Sequence, residues 1–184
     1  MIRYTLSSTE EELRQILLLQ QCNLPQSLSA MEATLEGFVT VHHNLEILKS
    51  MHDLCPHILA KEGAKVVGYA LSMHAKFGTS IEVLKPMFKQ ISTHHANAPE
   101  AMRSITHNFI VMGQICIDKD YRKKGIFRKL YNTMRAHYIP PFSAIITEVD
   151  TNNERSLQAH YAVGFKELKQ YRAHGQDWVL LYVN

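Results

Sequence analysis

The alternation of apolar and polar positions along the chain predicts a mixture of helices and strands, with β-hairpins near both ends. A β-like run at Ile2–Leu6 precedes a helix that begins with a capping box, formed by Ser8 and Glu11 or by Thr9 and Glu12. The spacing of apolar positions predicts further helices over residues 27–37, 40–52, 125–137 and 153–163. Short apolar runs predict further strands over residues 57–61, 65–74, 109–117, 143–149, 165–171 and 177–183.

Residues 77–103 are less regular than the rest of the chain. Two prolines and the polar run from Ser92 to Asn97 predict a helix and a surface loop in this stretch. The order of elements predicts an α+β fold, with a mixed, mostly antiparallel central sheet flanked by helices. Because the chain has 184 residues and no linker-like segment, we expect a single domain over residues 1–184.

The basic residues are concentrated in one part of the chain. The formal net charge is +3, which is too small to indicate nucleic-acid binding by itself. Residues 118–135, however, contain seven Lys and Arg residues and only two Asp residues, so this segment alone carries +5. Positive charge concentrated in this way indicates a local anionic ligand rather than a long polyanion.

Cysteine and histidine spacing excludes several other classes of site. The three cysteines are widely separated and form no C-x-x-C pair, so a disulfide framework is not expected. The histidines that are adjacent in sequence point apart on a helix or strand, so a metal site is not expected either. The N-terminal residues lack the layout of a signal peptide, and no apolar run approaches the roughly 18–20 residues that cross a bilayer. These features predict a reduced, cytoplasmic protein.

The segment from Ile115 to Tyr131 carries the clearest chemical signal. An apolar strand runs into a basic turn, and the turn runs into a helix near Gly125. Free N–H groups at a helix start converge on one point, and the helix dipole adds about half a positive charge there. Glycine permits close backbone approach, so this arrangement predicts an anion site. The alternative interpretation is an ordinary solvated helix start.

Two blocks of sequence resemble the GCN5-related N-acetyltransferase (GNAT) family. The family's pyrophosphate loop, [Gln/Arg]-x-x-Gly-x-[Gly/Ala], corresponds to Arg122-Lys123-Lys124-Gly125-Ile126-Phe127, although Phe127 replaces the small last residue. A second pattern, Asn-x-x-[Ser/Ala]-x-x-x-[Tyr/His]-x-x-x-Gly-Phe, is matched at every specified position from Asn153 to Phe165. The resemblance covers about residues 109–165 and implies the three-layer sandwich of acyl-CoA N-acyltransferases.

The resemblance implies acetyl-CoA as co-substrate, bound at a splayed gap between two central strands. The pantetheine arm would pair with the main chain of one strand, and the pyrophosphate would lie against the basic loop and the helix start. Asn153 and Ser156 would contact the cofactor from the far side of the gap. The implied cofactor-binding residues are therefore Ile115, Cys116, Ile117, Arg122, Lys123, Lys124, Gly125, Ile126, Phe127, Arg128, Asn153 and Ser156.

The catalytic residues are less closely specified by the resemblance. In many family members, the proton donor to the leaving thiolate is a tyrosine four residues before the glycine of the Gly-Phe pair. In this chain that position is His160, and Tyr161 is its neighbour. Consecutive helix residues diverge by roughly 100°, so only one of the two should face the thiol. Glu148 and Asp150 are candidates for the general base by position. Gln114 lies where the family sometimes carries an acid, but an amide cannot accept the proton.

The sequence therefore predicts an enzyme that transfers the acetyl group of acetyl-CoA to a primary amine. The acceptor, whether a small molecule or a peptide, cannot be identified from these residues, and a homodimer remains open. A different class of function is also open, namely a CoA-binding regulatory or interaction protein that has the fold without turnover. A nucleic-acid-binding module is a third hypothesis, and it lacks a recognisable motif.

Overall fold

A computed structural model describes residues 1–27, 38–39, 41–79 and 81–184 of the chain. The strands are β1 (Ile2–Leu6), β2 (Ile58–Glu62), β3 (Lys65–His74), β4 (Phe109–Ile117), β5 (Ala144–Asp150), β6 (Lys166–Ala173) and β7 (Gln176–Val183). The α-helices in the described ranges are α1 (Glu10–Gln21), α2 (Leu45–Leu54), α3 (Lys85–Asn97), α4 (Glu100–His107), α5 (Ile126–Tyr138) and α6 (Glu154–Ala162).

The seven strands lie in the order β1-β2-β3-β4-β5-β7-β6, which confirms the predicted mixed sheet flanked by helices. β4 and β5 are parallel, whereas the β1–β2, β2–β3, β5–β7 and β6–β7 pairs are antiparallel. β4 is apolar except at Gly113 and Gln114, and β5 begins with the apolar run Ala144–Ile146. Both strands are buried on both faces along most of their length, which explains why they were predictable from the sequence.

The described residues form two compact units. The first unit comprises residues 1–73 and 112–134, and the second comprises residues 74–111 and 135–184. The core of the first unit includes Ile16, Leu48 and Tyr69, and that of the second includes Ile146 and Leu181, all of them fully buried or nearly so. The single domain over residues 1–184 stays a prediction.

Local sequence explains where several elements begin and end. The α1 capping box is the Thr9–Glu12 pair, in which the Glu12 N–H donates to Thr9 Oγ1 and the Thr9 N–H donates to the Glu12 carboxylate. The β2–β3 turn places Gly63 at φ +60°, and α6 is followed by Gly164 at φ +99°. These are left-handed conformations that favour glycine.

One predicted helix start and one predicted loop were wrong, and a second predicted helix lies outside the described residues. The helix predicted over residues 40–52 begins only at Leu45, because Asn44 accepts a hydrogen bond from the Ile47 N–H and caps the helix there. The polar run predicted as a loop is instead the last two turns of α3, where Thr93 and Asn97 donate to carbonyls one turn earlier. The helix predicted over residues 27–37 falls on residues 28–37, which the structure does not describe.

Candidate functional site

The end of β4 lies in the first unit and packs against β3. Cys116 is buried, whereas Ile115 and Ile117 are partly exposed, as the alternation of a strand requires. The N–H of Asp118 donates to the carbonyl of Val67 on β3 at 2.9 Å. A Cβ atom on Gly68 of the same strand would lie 3.2 Å from the Cys116 carbonyl oxygen, so a side chain here would push the two strands apart by a few tenths of an ångström.

Burial also determines the chemistry of Cys116. Removal from water raises the pKa of its thiol to about 12, and the nearby Arg122 guanidinium only partly opposes this shift. The thiol therefore stays protonated at neutral pH and lacks the thiolate that a nucleophile needs. The Cys116 side chain is therefore part of the core, and a cofactor contact by its main chain stays a prediction.

The turn after β4 has an unusual backbone. A short 3₁₀ turn over Lys119–Tyr121 leads to Lys123 at φ +60° and Gly125 at φ +73°. A non-glycine residue in the left-handed region costs about 1–2 kcal/mol, and such strain concentrates at functional sites. Left-handed residues in a turn can direct neighbouring main-chain N–H groups toward one point, and here Lys123 and Gly125 are the left-handed residues.

α5 begins directly after this turn. Its first intrahelical hydrogen bond runs from the Lys129 N–H to the Gly125 carbonyl at 3.2 Å, and the side chain of Ile126 is buried. The positive end of the helix dipole therefore lies at Gly125. A Cβ atom added to Gly125 would meet no heavy atom within 4 Å, so the space above the glycine is open. This open, donor-rich turn fits a pyrophosphate group, and we name residues 122–127 the cradle.

The basic side chains of this region differ in what they contact. Arg122 donates through Nε to the Ile117 carbonyl at 3.3 Å and through Nη2 to Asn23 Oδ1 at 2.6 Å. Lys124 donates to the Asp120 carbonyl at 2.9 Å, and its ammonium lies 4.8 Å from the centre of the Tyr121 ring. The side chains of Lys123 and Arg128 are exposed to solvent. Arg122 and Lys124 thus brace the turn, which the sequence could not predict.

Phe127 is the residue at which the cradle departs from the family pattern. Its ring packs edge-on against Tyr131, one helical turn further along α5, with the ring centres 5.1 Å apart. Tyr131 is fully buried, so this contact fixes the Phe127 ring beside the body of the helix. The main chain of residue 127 keeps its place in the first turn of α5.

In the second unit, the turn between β5 and α6 is organised by two side chains. Asn153 Oδ1 accepts a hydrogen bond from the Ser156 N–H at 3.2 Å and caps α6. The Asp150 carboxylate accepts hydrogen bonds from the Asn152 N–H at 2.8 Å and from the Gln176 amide at 3.0 Å. These contacts give Asp150 a structural part in the turn. Cofactor contacts by Asn153 and Ser156 stay predictions.

The two predicted proton donors lie on α6 in different environments. The His160 ring is 1% exposed, hydrogen-bonds the Ser156 carbonyl through Nδ1 at 2.7 Å and packs edge-on against Phe165. Burial lowers the pKa of His160 to about 4, so its ring is neutral at pH 7. Tyr161 is partly exposed and donates to Glu167, and burial together with this bond raises its pKa to about 12.

Glu148 has the most altered carboxyl group of the second unit. It lies on β5 and accepts a hydrogen bond from the hydroxyl of Tyr171 on β6. Burial raises the pKa of Glu148 to about 7, and the bond from Tyr171 only partly opposes this shift. A carboxyl group that titrates at neutral pH is suited to general acid–base catalysis. Tyr171 had not been predicted as a functional residue, because no local pattern marks it.

In the described parts of the chain, no group of three or more His, Cys, Asp or Glu residues is placed to hold a metal ion. Among the described helices, none is both long and apolar enough to span a membrane.

Comparison with known structures places the fold among acetyltransferases. The ribosomal-protein-S18-alanine N-acetyltransferase of Escherichia coli has a TM-score of 0.65 and 12% identity, over 100% of this chain and 93% of that chain. Naa50 of Arabidopsis thaliana, in complex with the bisubstrate analogue CoA-Ac-MVNAL, has a TM-score of 0.65 and 14% identity, over 100% and 98% of the two chains. The putative acetyltransferase yncA of Salmonella typhimurium, with its cofactor acetyl-CoA, has a TM-score of 0.64 and 12% identity, over 100% and 93%.

The sequence comparisons give the family. No curated protein sequence matches the chain significantly. The family model of the acetyltransferase (GNAT) family matches residues 27–165, which include both motif blocks, the cradle and α6. This match covers well over half of the chain, and the chain therefore belongs to the GNAT acetyltransferase family.

Proposed function

We propose that this protein is an acetyl-CoA-dependent N-acetyltransferase whose acceptor is a primary amine. The observation that carries the proposal is the cradle, where the left-handed residues Lys123 and Gly125 lead into the start of α5 beneath open space. Such a turn supplies main-chain donors and a helix dipole to a diphosphate. The family match and the acetyl-CoA in the yncA structure support this choice of co-substrate.

In the proposed reaction, the first unit holds and orients the co-substrate. The main chain of residues 122–127 and the exposed side chains of Lys123 and Arg128 would hold the pyrophosphate. The main chain of Ile115, Cys116 and Ile117 would pair with the pantetheine arm, and an N–H near Ile117 would polarise the acetyl carbonyl. Acetyl-CoA, when bound, supplies the acetyl group as a reactive thioester.

Glu148 is the proposed general base. An amine attacks only in its neutral form, so its ammonium must first lose a proton. With a pKa of about 7, the Glu148 carboxyl is substantially ionised at neutral pH and is basic enough to accept that proton, directly or through water. The Tyr171 hydroxyl holds the carboxyl in one orientation while it does so.

For the proton donor to the leaving thiolate, we propose Tyr161 rather than His160. Tyr161 keeps its proton at neutral pH and is partly exposed, whereas His160 is buried and packs α6 against Phe165. We expect Tyr161→Phe to lower kcat about 10- to 100-fold while the melting temperature stays near that of the wild type. Full turnover of Tyr161→Phe would exclude the hydroxyl as the donor.

The proposed function is tested by measuring release of the CoA thiol from acetyl-CoA in the presence of amines. The acceptors would be small amines, free amino acids and peptides with unblocked N-termini, with product mass confirming the acetylated amine. We expect amine-dependent release by the wild type and its loss in Gly125→Trp, whose indole would occupy the open space of the cradle. Gly63→Trp is the matched control, because Gly63 has a similar φ of +60° and open surroundings in the β2–β3 turn.

Each outcome of this assay discriminates between the hypotheses. Acetyl-CoA binding without turnover on any acceptor would favour a CoA-binding regulatory or interaction protein. Equal turnover by the wild type and Gly125→Trp would contradict the assignment of the cradle as the cofactor site.

A further inference from the structure

The side chain of Asn23, just after the C-terminal end of α1, contacts the cradle. Asn23 directly follows the Cys22 cap of α1 and is 6% exposed. Its Oδ1 accepts the 2.6 Å hydrogen bond from Nη2 of Arg122, the first residue of the cradle. The two residues are 99 positions apart in the sequence, and residue 23 lies outside the segment that the motif blocks cover.

The Asn23 side chain is fixed in place by its other contacts. Its Nδ2 donates to the Leu19 carbonyl of α1 at 2.8 Å, which fixes both the rotamer and the direction of Oδ1. Its main-chain carbonyl accepts a hydrogen bond from the Val39 N–H at 3.1 Å. A buried amide whose two ends are both bonded cannot turn without leaving a polar group unpaired.

The Arg122 side chain connects Asn23 to the turn. Its Nε donates to the carbonyl of Ile117, so the side chain spans the turn from the first cradle residue back to the end of β4. The left-handed residues Lys123 and Gly125 lie one and three positions after Arg122, so the main chain held by this side chain leads directly into them. A hydrogen bond between an amide oxygen and a charged guanidinium is among the stronger ones in proteins.

We propose that Asn23 is a positioning residue for cofactor binding, which sets the shape of the cradle by holding the Arg122 guanidinium across the turn. The inference rests on the proposed binding of acetyl-CoA by the cradle. It extends the cofactor site to α1, which carries no motif of the family in this sequence. Asn23 acts through Arg122 and does not itself contact the co-substrate.

The test is calorimetric titration of acetyl-CoA into the wild type and three variants. We expect Asn23→Ala to weaken binding about 10- to 100-fold, because Nη2 of Arg122 loses the Asn23 acceptor and the Ile117 contact alone fixes the guanidinium less closely. We expect Asn23→Asp to bind within about threefold of the wild type, since a carboxylate oxygen accepts the same bond. The rescue by Asp separates the contact with Arg122 from the contact with Leu19, because a carboxylate cannot donate to the Leu19 carbonyl.

Asn97→Ala is the matched control variant. Asn97 ends α3 and donates through Nδ2 to the Thr93 carbonyl at 2.8 Å, which is the same contact that Asn23 makes with Leu19. Removing it costs the helix end the same kind of bond and leaves the Asn23–Arg122 bond in place, so we expect an affinity within about twofold of the wild type. Thermal unfolding of each variant verifies that it is folded. If Asn23→Ala does not fold, Asn23→Ser replaces it, because the serine hydroxyl is too short to reach Arg122.

The outcomes separate this inference from the proposed function. A wild type that does not bind acetyl-CoA overturns the proposed function and the inference together. A wild type that binds, with folded Asn23→Ala binding equally well, overturns the inference alone. An Asn23→Asp variant as weak as Asn23→Ala, or an equal loss in Asn97→Ala, would also overturn it.

Discussion

Glu148→Gln is expected to lower the rate of acetyl transfer about 100- to 1,000-fold, because an amide cannot accept the proton of the incoming ammonium. In the wild type, kcat/KM should rise with pH through an inflection near 7, where the buried Glu148 carboxyl ionises. The variant should lack this inflection. The measurement is the pH dependence of CoA-thiol release with an acceptor that supports turnover.

Two further variants sharpen this experiment. In the wild type, the hydrogen bond from Tyr171 partly opposes the increase in the Glu148 pKa that burial causes. Tyr171→Phe removes this bond, so the pKa of Glu148 should increase further and the inflection should move above pH 7. Glu154→Gln removes an exposed carboxylate from the first turn of α6 and should leave the profile unchanged. A Glu148→Gln variant with wild-type turnover and an intact inflection would contradict the assignment of the base.

The second large effect concerns stability in acid. Burial lowers the pKa of His43 to about 4, of His57 to about 3 and of His160 to about 4. The unfolded chain protonates these side chains near pH 6.5, whereas the folded protein does not, so the unfolded state binds more protons between about pH 6.5 and 4. Their contribution to the free energy of unfolding is fully present above pH 6.5 and decreases as the pH falls through this window.

Glu148 changes the pH dependence of the free energy of unfolding in the opposite direction. Its raised pKa means that the folded protein holds a proton between about pH 4.5 and 7 that the unfolded chain has released. From these four groups we therefore expect unfolding near pH 5.5 to take up about two protons, since about three taken up by the histidines are offset by about one released from Glu148. Burial also lowers the pKa of His94, which adds to the uptake in the same direction. In Glu148→Gln the uptake should increase to about three.

The measurement is urea unfolding of the wild type and of Glu148→Gln at closely spaced pH values from 7.5 to 4.5. The slope of the free energy of unfolding against pH gives the number of protons taken up. A free energy that does not change between pH 6.5 and 5 would contradict the neutral, buried state of the three histidines.

Much of the fold was predictable because local signals and burial agree. β4 is mostly apolar, Gly125 marks the start of α5, and Asn153 and Gly164 mark the two ends of α6. The start of α2 was predicted too early, because apolar residues also occur before Asn44 and the pattern alone does not show that Asn44 is the cap. The polar end of α3 was mistaken for a loop, since Met87 and Ile91 alone carry its buried face.

The candidate site was predictable only where it depends on local sequence. The cradle follows from the glycine and the strand-to-helix order, both of which are local features. The Arg122–Asn23 bond joins residues 99 positions apart, and the Glu148–Tyr171 bond joins residues 23 positions apart. Such contacts depend on which strands and helices become neighbours, and no local pattern specifies that. The left-handed conformation of Lys123 was likewise missed, because lysine has no intrinsic preference for it.

The measurement that tests the central claim most directly is calorimetric titration of acetyl-CoA into the wild type, Gly125→Trp and Gly63→Trp. Both glycines have positive φ and open surroundings, so the two substitutions impose comparable backbone strain and only one fills the cradle. We predict saturable binding by the wild type and Gly63→Trp, and none by Gly125→Trp. A folded wild type that fails to bind, or a Gly125→Trp variant that binds as tightly as the wild type, would contradict the cradle as the acetyl-CoA site.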